Sequence, residues 1–286
     1  LEPSNNTGGF AKMVGDFNRD DLSGRNFAYG VREFPMGTIN NGIAQHGGLV
    51  AFGATFFTFS DYERPAIRLR ALQGLPVITE YTHDSIYVGE DGPTHQPVEH
   101  LMAARTIPNL LVIRPADANE SVVACKIALE QQDRPSLVLL SRQGLPVLDR
   151  NKFSSEEGLR MGGYIISDVD SPDVVIFSSG SEVSLVLEVK EMLADYAIRV
   201  VNLSCWELFE EQSQSYKDSV LDSGDALLVS VEAGITDGWQ KFTGRYGLNI
   251  GINRYGASGP GAHVAEYLEL TPKHVADKIK SKLLSK

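Results

Sequence analysis

The sequence predicts an α/β protein: two successive three-layer α/β/α domains with mainly parallel sheets, spanning residues 1–150 and 151–286. Three observations lead there. Strand-like runs such as "LLVIRP" and "DVVIFSSG" are apolar throughout instead of alternating, as in parallel strands buried on both faces. Longer stretches with a helical period lie between them. The alternation also occurs twice, on either side of one polar break, which argues for two α/β units.

In the first half the strand candidates are "LVAF" (49–52), "PVITEY" (76–81), "LLVIRP" (110–115) and "SLVLLS" (136–141). The helical stretches are "PMGTINNGIAQHG", "DYERPAIRLRALQG", "PVEHLMAART" and "DANESVVACKIALEQQ", the last with Asp117 or Asn119 as its N-cap. The stretch "PVLDRNKFSSEEGLRMGG" (146–163) is polar and carries Pro and Gly, so it reads as an interdomain linker. Beyond it, "DVVIFSSG", "IRVVNLS", "ALLVSVEAG" and "NIGINRYG" are strands. "SEVSLVLEVKEMLADY" is a helix that Ser179 or Ser181 could cap.

The chain has 286 residues, 42% of them hydrophobic and 22% charged, as in globular proteins. Its 26 Lys and Arg against 37 Asp and Glu give a net charge of −11, with no basic stripe. That balance argues against nucleic acid and anionic membranes as partners, and an anionic ligand would need a local cluster of cations. Cys125 and Cys205 stand far apart in no metal-like spacing and read as two buried free thiols. No apolar run approaches the roughly 18 residues of a membrane span, and "LEPSNNTGGF" has no signal-peptide core, so the expected location is cytoplasmic or organellar.

Among the familiar signatures, G-x-G-x-x-G after a strand, Walker A, H-E-x-x-H and G-x-S-x-G do not occur. "SSGSEVSL" is a strand–turn–helix that is either an anion site at a helix start or a plain tight turn. The chemistry concentrates in "THDSIYVGEDGPTHQP" (82–97), which carries His83, Asp84, Glu90, Asp91 and His95 between an apolar strand and a helix start. A loop after a strand is where open α/β sheets bind ligands. Its side chains could bind a metal, form a solvated connection, or line a site for a polyhydroxylated or phosphorylated substrate. No His pair has the i, i+4 spacing of a helical metal site, and the glycines suit close backbone approach.

Glu33, in "YGVREFPMG", lies between a strand-like run and a helix start. It is either a carboxylate favoured by the helix dipole or one held from water for acid–base work. "ATFFTFSDYER" places Phe56, Phe57, Phe59 and Tyr62 within seven residues, as core or as a ring face offered to a flat ligand.

Taken in order, "YGVREFPMG", "ATFFTFSDYER", "THDSIYVGEDGPTHQP" and "LLSRQGLPVLD" resemble transketolases of the bacterial, yeast and plant type over essentially the whole chain. The resemblance implies reversible transfer of a two-carbon ketol unit between sugar phosphates, with thiamine diphosphate as cofactor. It matches Glu33 to the carboxylate that hydrogen-bonds the cofactor's pyrimidine N1′, a group expected in a dry pocket with a raised pKa. Phe56 matches the ring stacked on the pyrimidine, with Phe59 and Tyr62 completing the wall. Asp91 and His95 match groups that contact the sugar hydroxyls, His95 also serving the reacting centre. His83, Arg142 and Ser4 match the group that holds the phosphate, where an arginine fork suits a planar contact.

The family carries a further N-terminal domain that holds the diphosphate and Mg²⁺ (or Ca²⁺) through a Gly-Asp-Gly…Asn motif, which these residues do not contain. The sequence opens at Leu1 where the family has earlier residues, so a portion of a longer chain is expected. The resemblance implies that this portion works with that domain, in the same chain or in trans, and as a homodimer. No metal ligand is expected within it. A dihydroxyacetone-synthase-like transfer and a non-catalytic regulatory subunit are the alternatives.

Overall fold

The computed structural model describes residues 12–222 and 224–285. Its first half holds four strands: β1 (Phe52–Phe56), β2 (Ile78–Thr82), β3 (Leu111–Ile113) and β4 (Ser136–Leu139). They form one wholly parallel sheet in the order β1-β2-β4-β3. Beside it lie the helices α1 (Glu33–His46), α2 (Ser60–Gln73), α3 (His100–Arg105) and α4 (Ala118–Glu130).

The second half builds a five-stranded sheet from β5 (Tyr164–Ser167), β6 (Val174–Ser178), β7 (Ile198–Asn202), β8 (Leu227–Val231) and β9 (Leu248–Ile250). Its order is β5-β7-β6-β8-β9, with only β5 antiparallel to its neighbour. Around it lie α5 (Glu182–Met192), α6 (Trp206–Glu210), α7 (Gln214–Leu221), α8 (Gln240–Thr243), α9 (Gly261–Tyr267) and α10 (Pro272–Leu284).

Burial explains the uniformly apolar strands. Along β6, Val174 and Ile176 join one buried cluster while Val175 and Phe177 join another, so both faces of the sheet are covered. The first sheet behaves alike, with Ile78 and Val138 on one side and Tyr81, Leu137 and Leu139 on the other. The largest cluster is continuous through both halves, running from Ile78 and Leu111 to Val229 and Ile279.

Several expectations needed correction. The first strand starts at Phe52, not at 49, because Leu49 and Val50 are exposed and the apolar run continues to Phe56. The strand-like run before Glu33 forms no strand; its nearest pairing is an isolated bridge between Asp16 and Asn26. β5 was not foreseen. Cys125 is exposed, so only Cys205 is a buried thiol.

The 146–163 stretch is ordered and packed. Arg150 reaches Asp117 at 2.9 Å, and a 3₁₀ turn over Glu156–Met161 carries Arg160, which grips Glu130 on α4 at 2.7 Å. Asp117 does cap α4, accepting from the Glu120 amide at 2.8 Å. Ser181 precedes α5 without capping it, and its hydroxyl donates to the Glu182 carboxylate instead. Among the described residues no helix is long and apolar enough to cross a membrane.

Candidate active site

Three adjacent strands deliver their carboxyl ends to one place. β1, β2 and β4 are neighbours, about 4.8 Å apart in a sheet. Phe56, the last residue of β1, pairs in register with Thr82, the last of β2. His83 therefore emerges beside Phe56, and the two rings stack with centroids 3.6 Å apart. Phe59 lies parallel to Phe56 at 6.0 Å, and His95 meets Phe59 edge-on at 5.6 Å. Tyr62, on the first turn of α2, touches Phe59 at 6.1 Å but is 65% exposed.

Helix α1 opens at Glu33 and packs along β1. The short connection from His46 to Phe52 folds the helix back along the strand, so Met36 and Asn40 lie against Gly53. Glu33, one turn earlier, then stands toward the end of β1 that bears Phe56. Its carboxylate begins the helix, where the macrodipole favours negative charge. It is half-buried rather than enclosed, so the described residues do not by themselves form a dry pocket around it.

The 82–97 loop is ordered by its backbone. His83 adopts φ 60°, a left-handed conformation that a residue with a side chain keeps only when its surroundings hold it. The 3₁₀ turn Ile86–Asp91 is broken at Gly89 (φ 83°), and Gly92 (φ 79°) turns the chain again before His95. Asp91 is exposed at this bend. Arg142 follows β4 by three residues and is also exposed.

Burial first, and then the Arg142 guanidinium, hold the His83 imidazole below the ordinary histidine pKa, opposed by Asp91 and Asp84. His83 therefore enters neutral pH uncharged, able both to donate and to accept. Its share of folding stability is present above the unfolded value of about 6.5 and is lost as pH falls through the lowered folded value. Replacing Arg142 by Gln is expected to move the His83 titration upward, as followed by the ring proton shifts. An unmoved midpoint would show that the two groups do not feel each other.

The structure thus brings Phe56, Phe59, His83 and His95 into contact and sets Arg142 and Asp91 within electrostatic reach of His83. Ser4 lies outside the described residues. Among the described residues no group of three His, Cys, Asp or Glu side chains could hold a metal ion. The "SSGSEVSL" turn takes its plain reading, because the buried Arg114 side chain lies against Gly180 and bonds the Glu182 carboxylate at the head of α5.

Sequence reasoning named Asp84 only as one ionisable group of the loop and missed Arg114, its partner. Arg114 is 1% exposed and donates from Nε to Asp84 Oδ2 at 2.7 Å. A charge at the end of an apolar run, as in "LLVIRP", was the available signal, since a buried arginine requires buried carboxylates.

Two protein-family models match the chain. "Transketolase, pyrimidine binding domain" covers residues 2–147, and "Transketolase-like TK C-terminal domain" covers 162–271. A transketolase of Aquifex aeolicus (strain VF5) is 52% identical over 277 residues, 96% of this chain and 40% of that protein. The solved transketolase from Leishmania mexicana superposes with a TM-score of 0.93 at 39% identity, covering 99% of this chain and 41% of that one. A solved chain described as "Split gene transketolase, inactive beta4 tetramer" gives a TM-score of 0.74 over 91% of this chain and 84% of its own; at 22% identity it speaks for the fold alone. The chain spans about two fifths of the length of the curated relatives it matches.

Proposed function

Since this chain belongs to the transketolase family, we propose that residues 1–286 supply the pyrimidine-binding and sugar-binding side of a thiamine-diphosphate-dependent ketol transferase, divided into two domains near residue 150. The observation that carries this reading is the convergence of Phe56, His83 and Arg142 at the ends of three neighbouring strands. A half-buried ring, a carboxylate at a helix start and a histidine beside a guanidinium fit a flat heterocycle, its basic nitrogen and a phosphorylated sugar.

When bound, thiamine diphosphate supplies a thiazolium able to stabilise a carbanion adjoining a carbonyl. Glu33 holds a proton at the pyrimidine N1′. Phe56, flanked by Phe59, offers a ring face, and Tyr62 extends the wall. His95 hydrogen-bonds the donor's hydroxyls, while Asp91 reads the hydroxyl beside the carbonyl. His83 and Arg142, joined by Ser4, hold the phosphate. The diphosphate and its Mg²⁺ need groups beyond those described here.

Exposed apolar side chains around Glu33 support the same reading. Val31, Phe34, Ile39, Leu49 and Val50, on and around α1, are all exposed large apolar side chains. A second subunit covering them would also enclose Glu33, giving it the dry surroundings its role requires.

Arg142→Ala tests the phosphate assignment in the complete enzyme. Losing one charge-assisted contact costs about 1.5–3 kcal/mol, so KM for phosphorylated sugars is expected to rise roughly ten- to a hundredfold. An unphosphorylated donor such as hydroxypyruvate should be nearly unaffected. Equal losses with both would make Arg142 structural.

A further inference from the structure

The second half of the chain contributes none of the side chains placed at the site, yet it grips the 82–97 loop at both ends and in the middle. At the entry, Asp84 follows His83 directly and its carboxylate takes the Arg114 Nε–H. The same guanidinium is fixed from the other side by the Ser179 carbonyl at 2.9 Å and the Glu182 carboxylate. The backbone of Arg114 is held there too, donating to the Ser204 carbonyl and accepting from the Gly180 amide.

At the exit, the buried Gln96 amide nitrogen donates to the Gly89 carbonyl within the loop and to the Ala257 carbonyl of the second half, each at 3.0 Å. The Ile235 amide then bonds the Val98 carbonyl. Between these points the segment "GASGPG" (256–261) lies so close that a Cβ on Gly92 would come within 2.2 Å of Ser258 Oγ.

We propose that Gln96 is a positioning residue, through which the 256–261 segment of the second half sets the place of Asp91 and His95. The inference rests on the site reading above and deepens it. The loop's own 3₁₀ turn is interrupted at Gly89, the residue whose carbonyl Gln96 holds, so the backbone carrying Asp91 has its fixed point there. Releasing that point lets the loop move by fractions of an ångström, and site geometry is sensitive on that scale.

The bridge can be broken from either side. Gln96→Ala removes both donors. Gly256→Ala places a methyl 1.9 Å from the Gln96 side-chain oxygen, a clash with the end of a flexible side chain that moves Gln96 aside without straining the second half's backbone. In the complete protein, each single variant is expected to speed hydrogen exchange of the 83–95 amides and to lower kcat/KM at least about tenfold, with exchange in β6–β8 unchanged. The double variant should match Gln96→Ala alone, because one link cannot be lost twice. Unchanged loop exchange in both single variants, or a Gly256→Ala effect that persists without Gln96, would overturn the proposal. Exchange reads the loop whatever the reaction, so a wild-type protein without ketol transfer would remove the functional reading while leaving this one to be judged.

Discussion

Glu33→Ala, introduced into the complete enzyme at saturating thiamine diphosphate, is expected to lower turnover by about 10²- to 10⁴-fold, the usual contribution of a positioned acid–base group. The fold should survive the change. Glu33 is half-buried on the first turn of α1, with no packed core around it, so truncation forfeits a dipole interaction of about 0.3–1 kcal/mol and little else. Activity and stability are therefore expected to separate, which distinguishes a chemical role from a structural one. Glu33→Gln keeps shape and hydrogen-bonding capacity but cannot share a proton at the pyrimidine nitrogen, so it should fall nearly as far as Ala. Steady-state turnover alongside thermal melts makes the comparison. Near wild-type turnover in the Ala variant would remove Glu33 from the mechanism.

Apart from β1, which begins only at the last residue of "LVAF", the longer strands of both sheets were legible because covering each sheet on two faces demands unbroken apolar runs, and "DVVIFSSG" or "SLVLLS" can be little else. β5 was illegible for the complementary reason. It is four residues long at the sheet edge, sits between "MGG" and "DVDS", and pairs antiparallel with β7 more than thirty residues later. The α4 cap at Asp117 was local and readable. At α5 the serines satisfy partners that only the tertiary fold supplies: Ser179 donates to the Glu232 carboxylate, beyond the reach of local rules.

The candidate site divides in the same way. Its aromatic and ionisable members cluster in short motifs, and the loop's position after a strand is itself a signal. The Asp84–Arg114–Glu182 ion pairs and the Gln96 bridge join residues 30 to 161 positions apart, so no local pattern announces them.

Residues 1–286 alone are expected to bind thiamine diphosphate weakly and to turn over nothing. The diphosphate carries most of the cofactor's charge, whereas these residues sum to −11 and those described present no group of ligands for Mg²⁺. The contact proposed for them, of Glu33 and Phe56 with the pyrimidine, would have to oppose an association cost on the order of 4–15 kcal/mol. The two family models that match are the pyrimidine-binding and C-terminal ones. A transferase assembled from a pyrimidine side and a diphosphate side needs both, whether in one polypeptide or two.

The direct measurement is calorimetric titration of purified residues 1–286 with thiamine diphosphate and Mg²⁺, followed by a ketol-transfer assay before and after adding a diphosphate-binding domain as a separate polypeptide. The expected result is no saturation below about 1 mM, weaker than roughly −4 kcal/mol, with turnover appearing only after the second polypeptide is added. Binding at about 1 μM or tighter, near −8 kcal/mol, with turnover from residues 1–286 alone, would contradict it.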